Sequence, residues 1–398
     1  MTDTQTRVLI AGGGVAALEA TLALQAVASD RVRIQVVAPE ESFTYRPLAV
    51  AEPFGAGHVH RFPLAALVEA AGASLRPGLV TSVDPDRRLV RTRDGAELPY
   101  DALLLALGAR PQQALPGALT FRGPEDSRAL ASVLEQALAR KVRSVVFALP
   151  GGVSWPLPLY ELAFLTRAWL TDRGAADVEV TIVTPEEAPL AVFGPEASEA
   201  VAGMLEARGM TYRLRTTPKR VDGRILRLAP DDRMAAGAVV ALPRLVGPRL
   251  AGIVADAHGF VPTDEHGRVG SEVDVYAAGD LTQFPLKQGG IAAQQADAAA
   301  AAIAVQAGAA VDAAPFRPIL RGLLLTGGRP SFLRAEVAKA GSSVAVEPLW
   351  WPPAKIVGRH LAPFLATHLG LSADPPELPG GSAVSVEREL DGARATPR

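Results

Sequence analysis

After a polar start the chain enters a short unbroken apolar run, Val8-Leu9-Ile10-Ala11, the pattern of a parallel strand buried on both faces. Gly12-Gly13-Gly14 interrupts it, a helix-like stretch follows over 18–28, and a second strand run comes at Ile34-Gln35-Val36-Val37. Strand, glycine turn, helix and strand within about thirty residues make one βαβ unit. The arrangement returns. Ser144-Val145-Val146-Phe147-Ala148 leads into Leu149-Pro150-Gly151-Gly152, a helix-like stretch over about 160–173, and the strand Val180-Thr181-Ile182-Val183. The exits match as well, Val37-Ala38-Pro39-Glu40-Glu41 against Val183-Thr184-Pro185-Glu186-Glu187. The pattern predicts an internal duplication of a nucleotide-binding unit.

Three further segments complete the organisation. Tyr100 to Gly108 reads as a buried strand ending in a glycine turn. Asp274-Val275-Tyr276-Ala277-Ala278-Gly279-Asp280 reads as another strand-to-turn, followed by an Ala-rich helix over 291–307. The expected class is therefore α/β, with two Rossmann-like dinucleotide-binding domains and a C-terminal interface region. The expected boundaries are 1–112 and 247–310 for the first domain, 113–246 for a second domain inserted in it, and 311–372 for the interface region. Residues 373–398, with Pro375-Pro376 and Pro379-Gly380-Gly381, read as a disordered tail.

Composition narrows the chemistry. With 398 residues, each domain can bury a core, and a net charge of −2 gives no whole-chain reason to expect nucleic acid. There is no cysteine, which excludes a thiolate nucleophile, a disulfide scaffold, cysteine-ligated metal and a redox dithiol. Any redox chemistry must belong to a bound cofactor. The six histidines show no metal-ligand spacing, so the sequence puts forward no metal site. A polar start without a signal-peptide pattern, and no apolar run of about 18 residues, lead to the expectation of a cytoplasmic protein, attached at most to a membrane surface.

Gly12-x-Gly14-x-x-Ala17 matches the dinucleotide fingerprint in the required context, after a strand and opening a helix. The glycines permit close backbone approach to a pyrophosphate, and the helix N-terminus offers free N–H groups and partial positive charge. The fingerprint usually places an acid at the end of the second strand to bind a ribose hydroxyl. Here Ala38 stands at that place and Glu40 two residues on, either a ribose ligand or an ordinary solvated loop acid.

Together, Gly12-Gly13-Gly14, Leu104-Leu105-Ala106-Leu107-Gly108-Ala109 and Val275-Tyr276-Ala277-Ala278-Gly279-Asp280 resemble the three FAD-contacting motifs of the flavoproteins with two dinucleotide-binding domains. Phe43-Thr44-Tyr45-Arg46-Pro47-Leu48 and the segment 285–297 are similar to the sulfide:quinone oxidoreductase and type II NADH dehydrogenase branch. The resemblance implies FAD, with Arg46, Pro47, Ala106, Gly108 and Gly279 in its contact set and Asp280 on its ribitol or phosphate part. It also implies a helix start near Gly290-Ile291 aimed at the pyrimidine end of the flavin. Reduction places negative charge on that edge, so a helix N-terminus and a cation would stabilise it. Lys287 is the candidate cation, with a plain surface lysine at a helix start as the alternative.

Two departures limit what the resemblance carries. Sulfide oxidation by that family uses cysteines, absent here. The second glycine turn, Leu149-Pro150-Gly151-Gly152-Val153-Ser154-Trp155-Pro156-Leu157-Pro158, lacks Gly-x-Gly-x-x-Gly, and its prolines remove N–H donors. Glu161 matches an acid that NADH-using relatives place near the nicotinamide, or else complements the helix dipole as a first-turn acid. NADH binding stays open on this reading, and NADH is preferred to NADPH because no arginine directly follows Glu186. The C-terminal stretch 349–365 pairs Trp350-Trp351 with an amphipathic stripe of Val357, Leu361, Phe364, Leu365 and Leu369. It reads either as a peripheral membrane anchor or as a surface packed on the flavin domain or on a second subunit of a homodimer.

The functional expectation is an FAD-dependent oxidoreductase. It would take electrons from a reduced small-molecule donor, with NADH a candidate, and pass them to a quinone or other small acceptor without sulfur chemistry on cysteine. The alternative is an accessory flavoprotein that binds FAD but acts through protein contacts.

Overall fold

The computed structural model describes residues 5–270, 272, 274–336 and 342–371, so the tail expected from 373 lies outside the described residues. The first unit runs β1 (Thr6–Ala11), α1 (Val15–Ala28), β2 (Val32–Ala38), β3 (Ser74–Pro77) and β4 (Ala102–Leu105). The second runs β5 (Leu119–Thr120), β6 (Ser144–Ala148), α2 (Leu157–Asp172), β7 (Glu179–Val183), β8 (Thr211–Arg213) and β9 (Ala238–Ala241). The chain then returns to the first sheet through β10 (Val275–Ala277) and α3 (Gly289–Gln306). It ends in a three-stranded antiparallel sheet of β11 (Ile319–Leu324), β12 (Ser331–Glu336) and β13 (Ser342–Ala345), followed by the short helix α4 (Leu361–His368).

Both main sheets are parallel and five-stranded, ordered β10-β4-β1-β2-β3 and β5-β9-β6-β7-β8. The duplication extends beyond the βαβ units. Each sheet also carries a three-stranded antiparallel excursion, Val80–Asp84 with Leu89–Thr92 and Glu97–Pro99 in one, and Pro218–Asp222 with Ile225–Leu228 and Asp232–Ala235 in the other. The two connections between the sheets, Arg110–Gln112 and Arg244–Val246, pair antiparallel with each other. β1, β4 and β6 are continuous apolar runs because helices or loops cover both faces of a parallel sheet.

Helices α1 and α3 pack together in one core cluster, through Ala16, Ala17, Ala20, Ala23 and Leu24 on one side and Ala292, Ala296, Ala299, Ala300 and Ile303 on the other. Two acids interrupt these apolar surfaces. Glu19 on α1 is fully buried, and its carboxylate accepts the backbone N–H groups of His360 at 2.7 Å and Leu361 at 2.9 Å, capping α4. Asp297 on α3 faces it, and their carboxyls share a hydrogen bond; burial and the Glu19 charge push Asp297 well above the usual carboxyl range, against the pull of Arg359. Asp297 therefore carries the shared proton, while its Oδ1 has no partner among the described residues. His360, pushed down to about 4 by burial and by Arg359, is neutral beside them. Ligand-type atoms of Glu19, Asp297 and His360 lie within 4.8 Å of one another, a cluster that the spacing of histidines in the sequence did not bring out.

The C-terminal stripe departs from the expectation in one respect. Trp350 is not an exposed anchor: it is buried, its ring meets Phe332 edge-on at 4.9 Å, and its indole N–H donates to the Ala354 carbonyl. Of the stripe, Leu361 and Leu365 are buried in the α1/α3 cluster, whereas Leu369 is exposed. The helix is also shorter than the apolar spacing suggests, because Pro352 and Pro353 break the preceding stretch and Pro363 sits in the first turn of α4, where its missing N–H is harmless. Among the described residues no helix is long and apolar enough to cross a membrane.

The carboxyl pair has a consequence for stability. The folded chain keeps a proton that the unfolded chain releases at ordinary carboxyl pKa, so the pair's contribution is full at low pH and declines as pH rises through the raised value. Asp297→Asn keeps an amide donor toward Glu19 and removes the titration. In a pH series running upward from the ordinary carboxyl range, its melting temperature should fall less than that of the wild type; parallel curves would contradict the shared proton.

Candidate functional site

The first glycine turn forms a cradle. Gly12 has φ +125°, and a Cβ there would lie 2.2 Å from the Ala106 carbonyl oxygen, so only glycine lets the ends of β1 and β4 come together. Gly14 differs: a Cβ there would meet nothing within 4 Å, which leaves open space over the helix start. Gly14 supplies no side-chain cap, and the first helical bond runs from the Leu18 N–H to the Gly14 carbonyl at 3.1 Å. The amides of Val15, Ala16 and Ala17 thus stand ahead of the ladder, as a bound pyrophosphate requires. Gly279 follows β10 at the same end of the sheet, and its N–H donates to Gln295 Oε1 at 2.8 Å. Asp280 lies beside it, half-buried, and no hydrogen bond from the described residues reaches its carboxylate; burial raises its pKa against the pull of Lys287. A carboxylate without a donor next to a free cradle fits a hydroxyl-bearing ligand such as the ribitol of FAD. Glu40 is exposed two residues beyond β2, a placement that suits either of its two readings.

A cavity of about 270 Å³ opens from this end of the first sheet toward the second sheet and the C-terminal region. Arg46, Pro47, Asp280, Lys287 and Gln288 line it from the flavin-type domain, Val153, Trp155, Leu157 and Glu161 from the second, and Arg321, Leu323 and Lys355 from the C-terminal region. Lys287 is buried rather than a surface lysine. Its ammonium donates to the Thr282 carbonyl and lies 3.9 Å from the centre of the Phe260 ring, and burial pulls its pKa down to about 8 against the carboxylates of Asp280 and Asp256.

One residue of the expected set is displaced from its role. Gln288 caps α3 by accepting the Ile291 N–H on its side-chain oxygen at 2.9 Å, so Ile291 has no amide to offer a ligand. The amides of Gly289 and Gly290 remain ahead of it. Sequence reasoning did not see this, because a glutamine before a helix is not among the residues strongly preferred as N-caps.

Glu161 is not a first-turn acid. It sits in the second turn of α2, fully buried, with its two oxygens 2.5 and 2.7 Å from Lys355 Nζ, and it also accepts the Leu325 N–H at 3.0 Å. Burial pushes its carboxyl up; Lys355 pulls it back. Lys355 lies within the C-terminal stretch 349–365, outside its apolar stripe. The two residues are 194 positions apart, and the available signal was a lysine beside Pro352-Pro353 in a chain with few lysines.

The second glycine turn is built differently. Residues 149–156 separate β6 from α2, whereas only 12–14 separate β1 from α1. Pro156 is the N-cap and Pro158 lies in the first turn, so neither offers an N–H, and the Leu159 N–H is taken by the Pro156 carbonyl at 2.9 Å. Trp155 is half-buried, packs on Phe193 at 5.7 Å between ring centres, and faces the cavity. Glu186, beyond the end of β7, accepts the Tyr160 hydroxyl at 2.7 Å and the Thr184 hydroxyl at 2.8 Å.

Two parallel sheets of duplicated topology, one carrying an open glycine cradle with an acid beside it, define the class of FAD-dependent oxidoreductases with two dinucleotide-binding folds. The chain belongs to the pyridine nucleotide-disulphide oxidoreductase family, whose profile matches residues 6–304; FAD and NAD(H) are the cofactors of that family. Apoptosis-inducing factor 3 of Homo sapiens is 27% identical over 223 residues, 52% of this chain, and the match spans only 34% of that protein's length. The ferredoxin–NAD(+) reductase component of the biphenyl dioxygenase system of Paraburkholderia xenovorans is 29% identical over 308 residues, covering 71% of this chain and 69% of that one. In fold, the chain is similar to the sulfide:quinone oxidoreductase of Aquifex aeolicus, with a TM-score of 0.77, 20% identity, and coverage of 86% and 87% of the two chains.

The Glu161–Lys355 pair has a measurable weight. Glu161→Gln or Lys355→Met leaves one buried charge uncompensated and should lower stability by ~3–5 kcal/mol in chemical unfolding. Combining Glu161→Leu with Lys355→Met removes both charges and should recover most of that loss; a double variant as unstable as either single one would contradict the pairing.

Proposed function

We propose that the chain binds FAD in the cradle of the first sheet and passes electrons from a reduced donor to a quinone or other small acceptor in the adjoining cavity. The observation that carries this reading is the cavity itself. Asp280, Lys287 and the α3 start line it together with the buried Glu161–Lys355 pair and the apolar side chains of Val153, Trp155, Leu157 and Leu323. Such a lining, apolar with a few convergent polar groups, suits a flat organic molecule. FAD supplies the electron-carrying ring. The chain's own residues would hold and tune it: the amides of Val15 to Ala17 would take the pyrophosphate, Asp280 the ribitol, and Arg46, Pro47, Ala106, Gly108 and Gly279 would shape the groove. Lys287 and the start of α3 favour negative charge near the ring. Because the chain has no cysteine, no step uses a protein thiol. Family membership puts NADH first among donors to test.

The accessory reading draws support from one feature, the altered second turn, and differs in predicting a flavin that exchanges electrons with no small molecule. An anaerobic experiment separates the two. Protein reconstituted with FAD should gain thermal stability and a protein-bound flavin spectrum. After bleaching with dithionite, one equivalent of a soluble quinone should restore the absorbance far faster than buffer does. Failure of stabilisation by FAD refutes the flavin site, and a flavin that quinone does not reoxidise refutes the proposed acceptor.

Lys287 gives a second check. Lys287→Met should lower the midpoint potential of the bound flavin by on the order of 30 mV, the equivalent of one favourable charge contact in a two-electron couple. In the wild type this contribution fades as pH rises through about 8, where Lys287 loses its proton. The two potentials should therefore converge above that pH, and a constant difference would exclude Lys287 as the source.

A further inference from the structure

We infer that the second dinucleotide fold of this chain is closed to pyridine nucleotides and serves as a wall of the flavin cavity. The inference narrows the proposed function, since it removes one donor and leaves the electron transfer in place.

Three independent features close the site. A dinucleotide pyrophosphate rests on unpaired amides at the start of the helix after the first strand. The first domain presents three such amides, those of Val15, Ala16 and Ala17. At the corresponding place in the second domain, Pro156 and Pro158 have no N–H and the Leu159 amide is already bonded to Pro156, so only the Leu157 amide remains at the helix start. The helix dipole is present, but the donors that would hold the phosphates are missing.

The second feature is steric. The fingerprint needs glycine where the backbone must touch the pyrophosphate. The longer turn carries Trp155 at this point, wedged on Phe193 and facing the cavity between Val153 and Leu157. Its indole lines the cavity shared with Asp280 and Lys287, a bulky side chain in the turn that in the first copy is three glycines.

The third feature is the ribose position. Glu186 follows β7 as a ribose-binding acid would, but its Oε2 already accepts the hydroxyls of Tyr160 and Thr184. Tyr160 is fully buried on α2, which fixes this carboxylate against its own domain, and burial raises its pKa. Only Oε1 is left outside these two bonds, and turning Oε2 toward a ribose diol as well would cost both short hydrogen bonds.

What remains of the turn has another use. Gly152 and Ser154 line a second, smaller cavity of about 140 Å³ together with Leu245, Phe260, Phe284 and Lys287. Ser154, Leu245 and Lys287 border both cavities, so the former cradle stands as a partition beside the flavin site.

The test measures binding without turnover. FAD-loaded protein is titrated with NAD+ and NADP+, followed by melting temperature and by ligand-observed saturation-transfer NMR, and is then mixed anaerobically with NADH and NADPH. We expect no shift in melting temperature, no saturation transfer, and no saturable bleaching of the flavin. Saturable binding tighter than about 1 mM, the upper end of ordinary enzymatic substrate affinities, overturns the inference, as does bleaching by NADH whose rate saturates with concentration. The dithionite and quinone cycle, run on the same sample, reports separately on the electron-transfer reading. A chain that ignores NAD+ but is reoxidised by quinone supports both; one that binds NAD+ and is reoxidised by quinone keeps the function and loses the closure.

Discussion

Burying a carboxylate is costly unless a partner comes with it, and that requirement organises the C-terminal third of this chain. Glu161 on α2 and Glu19 on α1 belong to helices of different sheets, and both find their partners within residues 355–361. Lys355 answers Glu161, and the His360 and Leu361 amides answer Glu19. Between them the Ile356 N–H donates to the Tyr45 hydroxyl at 2.9 Å, which adds a third attachment. Gly358 lies so close to Glu19 that a Cβ there would come within 2.2 Å of its Oε2. The segment crosses from one domain to the other, and the cavity lies under its first residues.

The site follows from that closure. Elements from the flavin-type sheet supply the cradle, the acid and the lysine; the second sheet supplies Trp155 and Glu161; the C-terminal region supplies Leu323 and Lys355. None of the three forms the cavity alone. The duplicated βαβ unit thus has two fates in one chain. The first copy keeps its amides open, and the second has filled its turn with side chains and prolines.

Much of this was legible in the sequence because it is local. Apolar strand runs, glycine turns and the Ala-rich helix announce themselves by spacing, and Gly12, Gly14 and Asp280 stand where their motifs put them. The departures lie where tertiary contact decides. Ile291 loses its amide to a neighbouring side chain, Trp350 turns inward onto Phe332, and Glu161 meets a lysine from the far end of the chain. The Glu19–Asp297 pair was readable only as single acids on apolar helices, a sign of buried polar partners whose identity no local pattern gives.

The bridging segment also sets how this chain can be divided. A break placed before residue 355 would take Lys355 from Glu161 and the His360 and Leu361 amides from Glu19, while sparing every strand of both main sheets. The C-terminal region is therefore no detachable appendage: it ties together two folds of repeated topology, and any shortening or fusion of this protein has to respect it.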